Sequence, residues 1–204
     1  MKFSIIIPVH NARERIDTII NRLKAQTFKD FEAIFVCDAC DDGSFEYIAQ
    51  TYPEAKVIET SYGNDGMARS TGLDVAKGEW VMFIDDDDDW NSDGVLENIF
   101  NTTSRNPNVD IIVCSFNWHG VGYTPATREN GTFWANVWSK IWRREAIGDT
   151  RFPNVYPDSD LFFTQAMFNK NLRVAVWDYP FYEYNYMREG SISWKERVTN
   201  ETIL

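Results

Sequence analysis

The sequence contains little cysteine and little histidine. Its three Cys are odd in number and too few for a disulfide framework, so the expected compartment is a reducing cytoplasm. The two His, His10 and His119, lie far apart and supply no second ligand pair to Cys37 and Cys40, which argues against a zinc site. We therefore expect neither a disulfide-stapled fold nor a zinc-held one.

Long apolar runs are also missing, and positive charge is in deficit. No stretch approaches the roughly 18 apolar residues that a membrane span requires. The opening MKFSIIIPVH has too short an apolar core for a signal peptide, so a soluble protein is expected. The net charge of −11, from 20 basic and 31 acidic side chains, speaks against gripping nucleic acid or an anionic membrane.

The length and the hydrophobic content of the chain predict a globular protein with a sizeable core. The chain has 204 residues, of which 44% are hydrophobic and 15% aromatic, which suits one well-packed domain. In its first half, short apolar runs alternate with helical patterns. Strands are predicted at 3–9, 31–37, 56–59 and 80–84, and helices at 44–52, 65–76 and from Asn11, where Glu14 completes a capping-box pattern. This alternation predicts an α/β fold with a Rossmann-like sheet and helices on both faces.

The second half is less regular. A helix is predicted from residue 92 or 93 to 103, then a strand at 110–115, a loop at 120–131, a helix at 158–169 and a strand at 172–177. Trp134, Trp138 and Trp142 recur every four residues, which predicts a helical stripe that serves as core more readily than as a sugar platform.

Polar residues follow three of the predicted strands. His10 and Asn11 come after the first strand, Asp38, Asp41 and Asp42 close the second, and a run of five aspartates, Asp85 to Asp89, follows the fourth. In open α/β sheets ligands bind beyond the carboxyl ends of the strands. These residues therefore predict a site at one edge of the sheet.

The aspartate run is the clearest sign of chemistry. In extended backbone Asp85 and Asp87 share a side, and carboxylates this close need a cation such as Mg²⁺ or Mn²⁺. A calcium loop of the EF-hand type does not fit, because Trp90 stands where Gly is required and Leu96 where Glu is required. A solvated acidic turn is the simpler alternative.

Two further patterns leave alternatives open. Cys37 and Cys40 form a C-x-x-C, a spacing used by redox pairs, although the neighbouring acids would raise a thiol pKa and favour a structural role. Asp158 and Asp160 open a predicted helix, where acids commonly offset the helix dipole, yet one of them could serve as a general base.

Taken together, several segments resemble family 2 glycosyltransferases of the GT-A fold. The segments are SIIIPVHN, QTFKDFEAIFVCDACDDGS, GNDGMARSTGLDVAKGEWVMFIDDDD, FPNVYPDSDLFF and PFYEYNYMREGSIS, and their order and spacing cover nearly the whole chain. The resemblance implies a single GT-A-like domain with a mixed sheet. Residues 1–115 would form the half that binds a nucleotide-sugar and a metal, and residues 116–204 the half that binds the acceptor.

The resemblance also implies roles for particular residues. Asp38 would contact the base of the nucleotide-sugar, Asp85 would lie near the ribose, and Asp87, with Asp85, would hold Mn²⁺ or Mg²⁺ on the diphosphate. Asp160 would be the general base, with Asp158 as the runner-up. The remaining residues implied to bind substrate are Pro8, His10, Asn11, Arg69, Lys77 and Asp86.

The function implied is transfer of one sugar, with inversion, from a nucleoside-diphosphate sugar, with UDP the expected nucleotide, to an acceptor hydroxyl, most readily that of a saccharide. The chain departs from the family pattern at His10, Cys37, Ala39 and Cys40. Two alternatives stay open at this point: a sugar nucleotidyltransferase, and a non-catalytic module that binds nucleotide-sugars or carbohydrate.

Overall fold

A mixed β-sheet of nine strands forms the centre of the molecule, as a computed structural model that describes residues 1–185 shows. The strands are β1 (Phe3–Val9), β2 (Phe31–Asp38), β3 (Lys56–Thr60), β4 (Trp80–Phe83), β5 (Asp89–Trp90), β6 (Ile111–Trp118), β7 (Gly122–Thr124), β8 (Lys140–Arg143) and β9 (Val174–Tyr184). Their order is β3-β2-β1-β4-β8-β6-β9-β5, with β7 paired to β6.

Parallel pairing of β3, β2, β1 and β4 sets the position of the site. In register, Val9 lies opposite Cys37, and Ile6 lies opposite Phe83. The carboxyl ends of these strands therefore meet at one edge of the sheet. Beyond β4 the sheet becomes mixed, because β8 runs antiparallel to both β4 and β6.

Helices cover both faces of the sheet, as predicted. They are α1 (Asp17–Ala25), α2 (Ser44–Thr51), α3 (Asp65–Val75), α4 (Val95–Arg105), α5 (Arg144–Ile147) and α6 (Ser159–Phe168). Buried side chains of α1, α2 and α4 pack on one face, and those of α3, α5 and α6 pack on the other. The alternation of side chains along β1 serves both layers, because Ile5 and Ile7 join the first core and Ile6 the second.

The predicted helix start at Asn11 is wrong, since α1 begins at Asp17. Asn11 has a left-handed backbone, with φ at 48°, and its side-chain oxygen accepts the amide hydrogen of Asp41 at 2.9 Å. An Asn tolerates this conformation well, so the side chain ties two strand-end turns together rather than capping a helix.

The predicted tryptophan helix is also wrong. Trp142 lies in β8, whereas Trp138 lies in the turn before it. Trp138 stacks on Tyr182 with ring centroids 4.3 Å apart, and Trp142 meets Phe163 edge-on in the opposite core. Pairing of β8 with two neighbours holds this segment extended, so the four-residue spacing has no helical meaning here.

The last described strand, β9, is longer than the sequence predicted and ends near the aspartate run. It pairs with β5, where Trp90 lies opposite Tyr182. The family-like segment PFYEYNYMREGSIS is described only as far as Asn185, and its remainder lies outside the described residues. Within residues 1–185, no helix has the length and apolar character to cross a bilayer.

Candidate active site

The predicted strand-end site is assembled by His10, which connects all three strand ends. Its backbone N–H donates to Asp86 at 2.9 Å, and its ring Nδ1 lies 2.9 Å from the backbone oxygen of Asp38. His10 follows β1, Asp38 ends β2 and Asp86 follows β4. The structure thus brings together the residues that the sequence placed at this edge.

Three of the five aspartates are taken up by structural partners. The Arg15 guanidinium binds both oxygens of Asp86, at 2.9 and 3.0 Å, and Arg22 binds both oxygens of Asp89. The Asp86 carboxylate therefore anchors the first turn to the run, and its predicted role in substrate binding stays a prediction.

Asp88 is the third anchored member of the run and is almost fully buried. The Tyr182 hydroxyl donates to one of its oxygens at 2.7 Å and accepts the backbone N–H of Asp85 at 3.0 Å, while the Asn185 N–H donates to the other oxygen. Tyr182 thereby holds the Asp85 backbone and the Asp88 side chain, at the two ends of the turn. Nothing in the sequence indicates this role, because Tyr182 lies almost a hundred residues away.

Asp85 and Asp87 are the two members of the run that the sequence assigned to a cation. Asp85 faces the Arg69 guanidinium, which donates to it at 2.7 Å. Asp87 is close enough to raise the pKa of Asp85 by repulsion, and it lines the cavity described below. The assignment of this pair to a cation stays a prediction.

Arg69 is the centre of a buried charge cluster. It lies on α3, its side chain is only 4% exposed, and it donates to Asp65 at 2.6 Å, Asp160 at 2.9 Å and Asp85 at 2.7 Å. One guanidinium thus faces three carboxylates. Arg69 is therefore a buried support for these acids, and its predicted contact with the substrate stays a prediction.

Burial and the surrounding negative charge raise the pKa values of two acids in the cluster, Asp85 and Asp160. Burial raises the pKa of Asp85 to about 7, with further upward pushes from Asp160 and Asp87 against the pull of Arg69. Burial also raises the pKa of Asp160, again against the pull of Arg69. Acids with raised pKa values are the ones suited to accept a proton or to gain from a nearby cation.

A divalent cation fits this cluster only if other ligands complete its shell. In residues 1–185 no three His, Cys, Asp or Glu side chains form a group that could hold a metal ion. Asp85 and Asp87 offer two hard carboxylates beside uncompensated negative charge, the donor set from which Mg²⁺ or Mn²⁺ is held jointly with phosphate oxygens. The residues present therefore fit a cation that arrives with its substrate.

The two candidate bases differ in position. Asp160 enters the cluster through Arg69 and also accepts the backbone N–H of Val137 at 3.2 Å. Asp158 is exposed at the start of α6 and makes no side-chain capping bond. Of the two, the structure brings only Asp160 into the site.

A buried lysine supports the segment that faces Asp160. The Lys140 ammonium is fully buried and donates to the backbone oxygens of Trp134, at 2.8 Å, and of Asn136. Burial lowers the pKa of Lys140 to about 7, while the charge of Asp160 pulls it upward. Lys140 therefore shapes the 134–136 segment through its bonds to the backbone, a role that a lone Lys in the sequence did not reveal.

The residues predicted to contact the nucleotide differ in how exposed they are and in what they bind. The Asp38 carboxylate accepts the backbone N–H groups of Tyr62, at 2.5 Å, and Asn64, at 2.7 Å, so in this structure it orders the 60–64 segment. Pro8 is buried in β1, and the Asn11 side chain is bound to the Asp41 amide. His10 is exposed at the edge and remains the most accessible of the set.

Lys77 lies at the wrong edge of the sheet, which corrects its predicted role. It is exposed, and its backbone N–H donates to Glu32 at the beginning of β2. Helix α3 starts beside the site and its 11 residues carry the chain across the sheet. Lys77 therefore comes at the amino ends of the strands, remote from the aspartate run.

A cavity of about 280 Å³ opens beside the aspartate run. Side chains of α1, the run and the end of β9 form its walls. The lining residues are Arg15, Thr18, Asp86, Asp87, Asp88, Asp89, His119, Glu183, Tyr184 and Asn185. Asp87 thus borders this cavity.

Comparison with known proteins agrees with the fold. "Uncharacterized glycosyltransferase YibD" of Escherichia coli (strain K12) is 25% identical over 99% of this chain and 66% of its own length. "Cholesterol galactosyltransferase" of Borreliella burgdorferi is 29% identical over 100% of this chain and 65% of its own length. The crystal structure of S. aureus TarS 1-349 in complex with UDP-GlcNAc has a TM-score of 0.83 and 26% identity, over 95% of this chain and 61% of that one.

The chain spans no more than about two thirds of these relatives. The family model described as "Glycosyl transferase family 2" matches residues 4–173, which includes every strand end of the site and α6. The protein therefore belongs to glycosyl transferase family 2.

Proposed function

We propose that the protein transfers a sugar from a nucleoside-diphosphate sugar, with UDP as the nucleotide, to an acceptor hydroxyl. The observation that carries this proposal is the pairing of Asp85 and Asp160 on the single guanidinium of Arg69, beside Asp87. Acids for a metal-bound diphosphate and an acid for proton removal thus lie in one cluster. Membership of the family and the likeness to a structure that holds UDP-GlcNAc support the same assignment.

The donor is expected at the edge where β1, β2 and β4 end. His10 is exposed there, and the Asp38 carboxylate orders the neighbouring 60–64 segment. Asp85 and Asp87 would hold Mn²⁺ or Mg²⁺ together with the diphosphate. When bound, the cation supplies Lewis-acid stabilisation of the negative charge on the departing diphosphate.

Asp160 is proposed as the general base. Its raised pKa suits it to take the acceptor hydroxyl proton, a contribution of roughly 100- to 10,000-fold in typical enzymes. The acceptor oxygen then forms its bond to the anomeric carbon as the bond from that carbon to the diphosphate oxygen breaks, and the leaving nucleoside diphosphate keeps the electron pair. A single displacement of this kind inverts the anomeric configuration.

The two halves of the chain are proposed to divide the substrates. Residues 1–115 carry the strand ends and the aspartate run, and would bind the donor. Residues 116–204 carry Asp160, His119 and the end of β9, and would bind the acceptor, for which a saccharide hydroxyl is the first choice.

A turnover assay tests this function. The protein is incubated with Mn²⁺ and a panel of UDP- and GDP-sugars, and release of the nucleoside diphosphate is measured with and without small saccharide acceptors. We expect release from a UDP-sugar that increases when an acceptor is present, and a product whose anomeric proton coupling shows inversion. A protein that binds nucleotide-sugars but releases no diphosphate with any donor would be a binding module instead.

A further inference from the structure

The irregular segment 134–137 contacts both Asp160 and the buried ammonium of Lys140. Each of its four carbonyl oxygens accepts a hydrogen bond from a side chain. The bonds run from Lys140 to Trp134 and Asn136, from Thr164 to Ala135, and from Trp142 to Val137. Side chains therefore hold this segment in its conformation, although it forms no helix or strand.

Lys140 uses all of its donors in this segment. An ammonium has three N–H donors. The Lys140 ammonium contacts the backbone oxygens of Trp134 and Asn136 and, at 3.1 Å, the side-chain oxygen of Asn136. Since Lys140 lies in β8 and is fully buried, it grips the segment from the sheet and in its charged form.

One peptide unit joins Lys140 to the proposed base. The carbonyl oxygen of this unit, that of Asn136, accepts from the Lys140 ammonium. Its N–H, that of Val137, donates to the Asp160 carboxylate at 3.2 Å. Because the unit is planar, the direction of its C=O fixes the direction of its N–H. A positive charge on the oxygen also polarises the unit and strengthens the N–H as a donor.

The two oxygens of Asp160 have one donor each in these contacts. Arg69 donates to Oδ1 at 2.9 Å from α3, and the Val137 N–H donates to Oδ2 at 3.2 Å. Two donors on different elements fix the plane of a carboxylate, whereas a single donor leaves it able to turn about its Cβ–Cγ bond. A general base must hold its oxygen within hydrogen-bond reach of the proton that it removes. The Val137 N–H therefore helps to decide how Asp160 faces an acceptor.

We propose that Lys140 is a positioning residue for Asp160. By holding the carbonyl oxygen of Asn136, it aims the Val137 N–H at the carboxylate that removes the acceptor proton. This inference deepens the function proposed above and rests on it for the identity of the base. Because the Lys140 ammonium is buried and its donors are occupied, its loss should slow transfer and leave donor binding unchanged.

Lys140→Gln and Lys140→Met test this role. Gln keeps two N–H donors without the charge, and Met keeps neither. We expect turnover, measured as diphosphate release with an acceptor present, to fall at least about tenfold in each, because a misplaced catalytic group costs rate. The Kd of UDP with Mn²⁺ should change less than about twofold, since binding is not the step affected. Urea denaturation checks that each variant folds, and Lys140→Gln carries the test if Lys140→Met does not.

Thr164→Val is the matched control. It removes a bond of the same kind, from a side chain to the neighbouring carbonyl oxygen of Ala135, and leaves the Asn136–Val137 peptide unit alone. Turnover of Thr164→Val should stay near that of the wild type. A loss as large as that of Lys140→Gln would show that the segment needs general support only, and would overturn the inference.

A double variant separates positioning from support of the fold. If Lys140 acts through Asp160, Lys140→Gln should cause no further loss of the residual turnover of Asp160→Asn, in which the base is already absent. If Lys140 only supports the fold, the two losses multiply. Losses that multiply, or wild-type turnover in Lys140→Gln, would overturn the inference.

The amide proton resonance of Val137 reports on the peptide unit without any turnover. We expect it to move upfield in Lys140→Gln and in Asp160→Asn, and by much less in Thr164→Val. A Val137 resonance that does not move in Lys140→Gln would overturn the inference. If the wild type releases no diphosphate but the resonance moves as expected, the proposed function is wrong and the link between Lys140 and Asp160 stands.

Discussion

Asp85 and Asp160 are held by two terminal nitrogens of the same buried guanidinium, that of Arg69. Asp85 follows β4 and Asp160 lies in the first turn of α6, so Arg69 joins the two halves of the chain at the site. A third carboxylate, that of Asp65, binds the same side chain. Arg69 therefore links the proposed base directly to the aspartate run.

Replacing Arg69 by Met should destabilise the fold. Three carboxylates would lose their partner, and leaving buried charge unpaired typically costs about 3–5 kcal/mol. Because these carboxylates are 24–29% exposed, we expect the lower end of that range, about 3 kcal/mol. Urea denaturation measures the change. Arg151→Met, which removes an exposed pair with Asp74, should cost under about 1 kcal/mol, and equal losses in the two variants would contradict the central role of Arg69.

Asp160→Asn should abolish transfer without weakening donor binding. The amide keeps an oxygen for Arg69 but cannot take a proton, so turnover should fall by roughly 100-fold or more. Diphosphate release measures turnover, and calorimetry measures UDP binding. Asp158→Asn is the matched control two residues away and should keep near wild-type turnover. If Asp158→Asn is the inactive variant, the base has been assigned to the wrong acid.

The stability of the metal-free protein should depend on pH through Asp85. Its folded pKa of about 7 is above that of an unfolded Asp, so its protonated form favours the fold. This contribution is fully present below about pH 4 and is lost as the pH rises toward and through 7. Thermal unfolding of wild type and Asp85→Asn across this range measures the effect. The variant should show a smaller loss of stability between pH 4 and pH 8, and parallel curves would show that Asp85 titrates normally.

The Tyr182 hydroxyl should matter to both stability and nucleotide binding. Tyr182→Phe leaves the Asp88 carboxylate and the Asp85 N–H without this partner in a buried place, a loss of about 1–3 kcal/mol. Looser Asp85 geometry should also weaken metal-dependent UDP binding. Tyr179→Phe, which removes a hydroxyl bonded to Asn98 at the surface, is the control and should leave UDP binding unchanged. A Tyr182→Phe protein with wild-type UDP affinity would limit the role of Tyr182 to stability.

Most of the fold followed from local patterns in the sequence. The strands β1, β2 and β4 are largely buried apolar runs with turn residues at their ends. Their alternation with helices predicted both the sheet and its site edge. The predicted tryptophan helix was wrong because strand pairing, a contact between distant segments, holds residues 140–143 extended in β8. The predicted start of α1 at Asn11 was wrong because the Asn11 side chain binds the Asp41 backbone N–H rather than capping its own helix.

The position of the site could be predicted from the sequence, but the residues that hold its carboxylates in place could not. Runs of acids at strand ends are visible in sequence. The alternation from which the sequence paired Asp85 with Asp87 does not hold, because β4 ends at Phe83 and the Asp88 N–H donates to the Asp85 backbone oxygen at 3.2 Å in a turn. Sequence does not show which carboxylates are neutralised, because Arg15, Arg22 and Tyr182 reach the run from other elements. For the same reason Lys77 was placed in the site, although the length of α3 carries it to the far edge.

The most direct test of the account is calorimetric titration of UDP with and without Mn²⁺, in wild type, Asp87→Ala and Asp89→Ala. Asp87 is proposed to hold the cation, whereas Asp89 binds Arg22 and serves as the control within the same run. If Asp87 holds the cation, Mn²⁺ should strengthen UDP binding to wild type and to Asp89→Ala. It should have no effect on UDP binding to Asp87→Ala. UDP binding that is indifferent to Mn²⁺ in the wild type, or equally metal-dependent in Asp87→Ala, would contradict it.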